Sequence, residues 1–199
     1  MTEPKPNKPP AAPATARKKK ALEYFGLSPE ALRTFDDSTD PAFLCDCMLG
    51  GLAKWLRAAG YDALWQYHAE DSDLIRLARS RGLMFATSDG KIMQRRVIQA
   101  GTVRAVFVPR GLSATEMLKY VAAKFALKRA EARCMACGGR LLALSKEQVK
   151  DKAPPKAYAR CDRFFLCARC GKLFWNGTHW TKITSRLDAV FKGEDKLEA

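Results

Sequence analysis

Two segments of the chain end alike, Phe43-Leu44-Cys45-Asp46 and Phe85-Ala86-Thr87-Ser88-Asp89. In each, a short apolar run delivers one carboxylate and a helix-forming stretch follows. A third acidic group, Glu70-Asp71-Ser72-Asp73, opens another helical pattern. Carboxylates gathered in one place supply the hard oxygen ligands taken by Mg²⁺ or Mn²⁺, with water and substrate phosphate completing the shell. An ion so held generates hydroxide and steadies the leaving oxygen in phosphodiester hydrolysis. Asp46, Asp71 and Asp89 are therefore the candidate catalytic acids, and Asp73 is a further candidate ligand. Plainer roles also exist for three of them. Asp71 is placed to be an N-cap, Asp73 to complement a helix dipole, and Asp89 to turn the chain before Gly90. Asp46, directly after a buried strand, has the weakest structural explanation.

A second chemistry is written in cysteine. Cys134-Met135-Ala136-Cys137-Gly138-Gly139 and Cys167-Ala168-Arg169-Cys170-Gly171-Lys172 repeat one pattern, Cys-x-x-Cys followed by Gly. Four thiolates in two such pairs match the closed tetrahedral geometry of structural zinc, and the glycines let the backbone turn tightly around the sulfurs. The 29 residues between the pairs form a longer connection than is usual, and Cys161 lies outside both pairs. Cys45 alternates with Asp46 and should face the core. No histidine stands near Cys45 or Cys47 in the sequence to activate either thiol.

The elements that must position these groups read as alternating strands and helices. Strands are expected at 43–46, 63–67, 83–87 and 103–108, and helices near 49–59, 72–81, 91–100 and 114–125. Units of this length imply a parallel sheet covered on both faces. Ligands in such α/β sheets sit at the carboxyl edge, where Asp46 and Asp89 would both project. Gly50-Gly51 weakens the first helix; it serves either close approach to a phosphate or close helix packing. Beyond a Lys/Arg/Ala connector at 126–132 the periodicity weakens, and the cysteine pairs take over.

Taken together, Phe43-Leu44-Cys45-Asp46-x-Met48-Leu49-Gly50-Gly51-Leu52-Ala53-Lys54-Trp55-Leu56-Arg57, Gly60-Tyr61-Asp62, Asp71-x-x-Leu74-Ile75-x-x-Ala78 and Thr87-Ser88-Asp89 resemble the Mut-seven-C RNase family, a branch of the PIN-like nucleases. The cysteine pairs and Trp175-x-Gly177-Thr178-His179-Trp180 are similar to that family's C-terminal half. The resemblance spans roughly residues 43–185. It implies an α/β, PIN-like parallel sheet with helices on both faces over 41–130, then a small β-rich zinc ribbon over 131–188. It also implies a ribonuclease whose metal-binding acids are Asp46, Asp71 and Asp89. Ser88 departs from the pattern, which usually carries Arg there, and Arg95 and Arg96 are the candidate substitutes for its phosphate contact. The fourth acid of many PIN domains has no clear counterpart.

Asn176-Gly177 between aromatic residues is a hairpin signal. Around it, Lys172, Trp175, His179 and Trp180 are candidate RNA contacts, through stacking on unpaired bases or through phosphate. Filling of the ribbon's own core is the alternative for the tryptophans. Lys54, Arg57, Arg95 and Arg96 are the corresponding candidates in the α/β part.

The charge agrees with a polyanionic partner: net +14 on 199 residues. It is unevenly spread, with twelve Lys/Arg against three acids in 133–186. Residues 1–20 are Pro-rich, then basic, and should be a disordered tail. Residues 21–40 read as a helical lead-in, and 189–199 as a frayed end. No apolar run approaches the roughly 18 residues of a membrane span, and the N-terminus lacks a signal-peptide core. The expectation is a soluble cytoplasmic enzyme acting on RNA, with ribosome or tRNA as possible settings. Its rivals are a non-catalytic RNA- or ribosome-binding zinc protein and a nucleotide-binding α/β domain, the latter weakened by the absence of a Gly-rich phosphate loop.

Overall fold

A computed structural model of the protein describes residues 41–67 and 69–192. The tail expected at 1–20, the lead-in expected at 21–40 and the frayed end beyond 192 lie outside the described residues. Four short strands, β1 (Phe43–Cys45), β2 (Ala63–Trp65), β3 (Met84–Thr87) and β4 (Ala105–Phe107), form a parallel sheet in the order β2-β1-β3-β4. The strands that lead to Asp46 and Asp89 are thus direct neighbours at its centre, with Leu44 opposite Phe85. Every residue of β1 and β3 is buried, as strands covered on both faces require.

Side-chain alternation divides the interior into two cores. Phe43, Cys45 and Ala86 pack under helices α1 (Gly50–Ala58) and α5 (Ala114–Phe125). Leu44 and Phe85 pack on the other side under α2 (Asp71–Arg81) and the pair α3 (Gly90–Met93) and α4 (Arg96–Gln99). One helix was expected over 91–100, but Arg95 adopts an extended backbone between the two pieces. Ile92 and Ile98 are both buried. In a continuous helix they would lie about 120° apart around its axis, and the break lets both reach one core. The glycine pair serves packing. A Cβ on Gly50 would come within 2.7 Å of the Trp65 ring, and one on Gly51 within 3.0 Å of Ala114 Cβ.

The C-terminal part adds an antiparallel sheet of β5 (Leu141–Leu144), β6 (Phe164–Cys167) and β7 (Leu173–Trp175). The long connection between cysteine pairs folds into α6 (Lys146–Val149) and α7 (Pro155–Arg160). They cover one sheet face, where Leu144, Val149, Cys161, Phe164 and Leu166 form a third core. Cys161 is therefore a core residue of this insert.

The hairpin expected at Asn176-Gly177 does not form. Gly177 is instead the N-cap of α8 (Thr178–Phe191). Asn176 turns back to hold the start of β6, donating to Asp162 at 2.6 Å and accepting the Arg163 amide at 3.2 Å. The helical spacing of Ile183, Leu187 and Val190 overrides the two-residue turn signal, because it places all three against the core shared with α1 and α5. The chain thus returns from the small sheet to the large one, and residues 189–191 are helical where fraying was expected. Among the described residues, no helix is long and apolar enough to cross a membrane.

Candidate functional site

At the carboxyl edge of the parallel sheet, Asp46 is 1% exposed and doubly held. Its Oδ1 accepts the Cys47 amide at 2.6 Å, and its Oδ2 accepts the Thr87 hydroxyl at 2.6 Å. The Thr87 oxygen in turn accepts the Asp89 amide at 3.0 Å. Asp89 caps α3, its Oδ1 accepting the Lys91 amide at 2.7 Å. One hydroxyl therefore ties the ends of two neighbouring strands together, and with them two of the candidate acids.

Asp71 is the first residue of α2 and half-buried, with Arg95 Nη2 3.7 Å from its Oδ2. Asp73 does not join the edge: it is exposed and pairs with Arg76 on its own helix at 2.7 Å. Its first-turn role is the one it has. The three aspartates offer oxygen donors of the kind a hard divalent ion takes, but in an open arrangement. Among the described residues, only the four ribbon thiols bring three or more potential ligand atoms within 4.8 Å of one another.

Ser88 donates its hydroxyl to the Val108 carbonyl at 2.7 Å and is buried, so it locks β3 to the end of β4. Arg110 donates to the Ser88 carbonyl at 3.1 Å while remaining exposed. Arg110 escaped the sequence reading, which sought a substitute cation only on the helix after Asp89. The signal was available: a residue just past β4 must emerge at the same edge as Asp89. Arg96 is exposed on α4.

The two thiols beside Asp46 are poor nucleophiles. Burial pushes Cys45 up to about 12. Burial, then the hydrogen bond and charge of Asp46, also push Cys47 upward.

The cysteine pairs converge as expected. Cys134 and Cys170 sulfurs lie 3.8 Å apart, and Cys137 and Cys167 sulfurs 3.4 Å apart. A tetrahedral zinc with bonds near 2.3 Å sets its sulfurs about 3.8 Å apart, so the four-cysteine cluster suits zinc. The amides of Arg169 and Cys170 each approach the Cys167 sulfur at 3.4 Å. Gly138 and Gly171 follow the pairs at φ +80 and +69, a region closed to most side chains. Hydrogen bonds from the Cys137 and Cys167 thiols pull Cys134 down to about 3. The same bond to Cys134 pushes Cys167 upward, because its proton is the one being shared.

Arg57 requires a correction. It is 5% exposed, and its guanidinium donates to the carbonyls of Ala63 at 2.7 Å, Met135 at 3.1 Å and Ala136 at 3.2 Å. It joins the large sheet to the first cysteine knuckle and has no face left for RNA. Arg133 and Arg169 reinforce that joint by pairing with Asp62, just before β2, at 4.0 and 3.6 Å. Within the ribbon they donate to Gly138 at 2.6 Å and Cys137 at 2.7 Å. Trp175 is likewise structural, half-buried against the third core.

The remaining candidates line two cavities. Lys54 and His179 are exposed and line one small cavity of about 370 Å³. Lys172 lies over the Phe174 ring at 5.8 Å, and Trp180 stacks on Phe165 with centroids 5.2 Å apart.

Searches of curated proteins and of solved structures return no significant match. The model of one family, described as the Mut7-C RNAse domain, matches residues 41–187. That span takes in the acidic edge, both cysteine pairs and most of α8, and the chain belongs to the Mut7-C RNAse domain family.

Proposed function

We propose that the protein is a metal-dependent ribonuclease that hydrolyses RNA phosphodiester bonds at the acidic edge. The observation that carries this reading is the Asp46–Thr87–Asp89 network on neighbouring strands of a family-typical chain. Asp46, Asp89 and Asp71 would hold Mg²⁺ or Mn²⁺, with waters filling the open positions, as suits ions that dehydrate reluctantly. The ion, when bound, supplies an activated water and charge stabilisation at phosphorus. The chain's own groups position everything else. Thr87 and the Cys47 amide fix the Asp46 carboxylate in one orientation. Arg110 and Arg96 stand exposed to meet phosphate oxygens, and Arg95 steadies Asp71. The four-cysteine centre is structural and keeps the ribbon against the catalytic body through Arg57. The net charge of +14 suits RNA as the polyanionic substrate, with ribosome or tRNA as its setting.

The test uses labelled RNA with wild type and with Asp46→Asn plus Asp89→Asn, in Mn²⁺ or in EDTA. Cleavage that needs Mn²⁺ and vanishes in the double variant supports the nuclease. Equal RNA binding by both proteins, with cleavage by neither, would make the protein a non-catalytic RNA-binding module.

A further inference from the structure

The small sheet has one face covered by α6 and α7 and another that fronts a cavity. Alternation along its strands sends Leu144, Phe164 and Leu166 into the insert's core. The opposite face presents Ala143, Phe165 and Phe174 to a cavity of about 890 Å³, walled on its other sides by residues 129–136 and by α8. This volume falls within the range of ligand-binding cavities. Trp180, from α8, stacks on Phe165 at an interplanar angle of 8°, so Phe165 backs the indole and Trp180 and Phe174 are the rings turned to the chamber. Cations rim it: Arg163 stands over Phe165 at 5.4 Å and Lys172 over Phe174 at 5.8 Å.

A second cavity of about 370 Å³ shares Met135, His179 and Ile183 with the first. It is lined by Lys54, Lys182 and Arg186. Its far wall includes Gly51, in the first turn of α1, the helix that begins four residues after Asp46. The two spaces adjoin at Met135, His179 and Ile183 and together make one course from an aromatic chamber, past His179, to three cations beside the first turn of α1.

We infer that this course binds single-stranded RNA, with bases stacked in the chamber against Phe174 and Trp180 and phosphates led along Lys54, Lys182 and Arg186 in the direction of the acids. The inference rests on the ribonuclease reading and adds the form of its substrate. Flat aromatic faces accept any unpaired base, whereas bases in a duplex are stacked on each other and present only their edges. Basic walls match the phosphate backbone and give binding a steep salt dependence. A peptide of matching charge would need acidic side chains and would gain nothing from parallel ring faces.

The experiment is fluorescence anisotropy on the full chain carrying Asp46→Asn and Asp89→Asn, without added Mg²⁺ or Mn²⁺, using fluorescein-labelled ten-nucleotide RNA and a blunt RNA duplex of similar charge. The single strand is expected to bind more tightly than the duplex and to quench tryptophan emission. Adding Trp180→Leu, which keeps the chamber apolar, should weaken single-strand binding by about 5- to 150-fold, the equivalent of losing one stacked base. Adding Lys182→Ala plus Arg186→Ala should lower the salt slope by about 1.4, near 0.7 for each phosphate contact. Equal affinity for strand and duplex, no RNA binding, or unchanged binding by a folded Trp180→Leu protein would overturn the inference. Cleavage is measured separately on the parent chain, so preserved binding without cleavage would defeat the nuclease reading alone.

Discussion

The Thr87 hydroxyl donates to Asp46 Oδ2 at 2.6 Å across two neighbouring strands. Because its oxygen also receives the Asp89 amide, one small side chain serves both acids. Thr87→Val keeps the shape and removes both interactions, leaving a buried carboxylate oxygen and an amide short of a partner. Urea unfolding should show a loss of about 1–3 kcal/mol, with RNA cleavage falling more than stability explains. Thr87→Ser, which retains the hydroxyl, should recover most of both.

Arg57 makes a similar prediction for the joint between the sheets. Its three acceptors are backbone carbonyls in a buried place, and only a forked guanidinium reaches them together. Arg57→Leu should destabilise the fold by at least about 2 kcal/mol. Hydrogen exchange at residues 134–139 should accelerate. Arg57→Lys should rescue little, since one ammonium cannot span the three carbonyls. RNA affinity measured at a temperature where the variant is folded should barely change, because Arg57 is hidden from solvent.

At Gly50, helix propensity and packing point in opposite directions. Alanine in an exposed helix gains about 1 kcal/mol over glycine. Here the added methyl would strike the Trp65 ring, whose indole N–H is fixed to the Cys47 carbonyl at 2.9 Å. Gly50→Ala should therefore lower the unfolding midpoint, with a cost of about 1–3 kcal/mol from overpacking. A raised midpoint would contradict the packing role assigned to the glycine.

The buried thiol of Cys45 makes a pH prediction. Its folded value of about 12 exceeds the ordinary thiol value of 9.0. Below pH 9 the thiol is neutral in both states, and its contribution to stability is complete. Between about 9 and 12 the unfolded chain ionises while the folded one resists, so that contribution is progressively lost. Unfolding free energy should fall over that interval, and less steeply in Cys45→Ala. Iodoacetamide at pH 8 should leave Cys45 unmodified until the protein unfolds.

Much of this was legible before any coordinates. Apolar runs ending in Asp46 and Asp89 imply buried strands that each deliver an acid to the carboxyl edge, and the paired Cys-x-x-Cys-Gly pattern implies a closed thiol centre, because each is a local signal. That the two strands are direct neighbours is set by the sheet order. What failed to show were properties set by distant partners. The burial of Arg57 depends on Met135 and Ala136, some eighty residues away. The helix after Gly177 wins over a hairpin only because the core under α1 and α5 is there to receive Leu187 and Val190. The break at Arg95 likewise follows from a core that both Ile92 and Ile98 must reach. Asp73, a further candidate ligand whose plainer first-turn role the sequence also offers, lies two residues further round the helix than Asp71 and pairs with Arg76.

Binding of a hard divalent ion at the acidic edge is tested most directly by titration with Mn²⁺, read by the electron paramagnetic resonance of the free ion. Wild type should take up Mn²⁺, and Asp46→Asn plus Asp89→Asn should weaken uptake at least about tenfold, or about 1.4 kcal/mol. Zinc content should stay the same in both proteins. Identical Mn²⁺ isotherms for the two folded proteins would contradict the account.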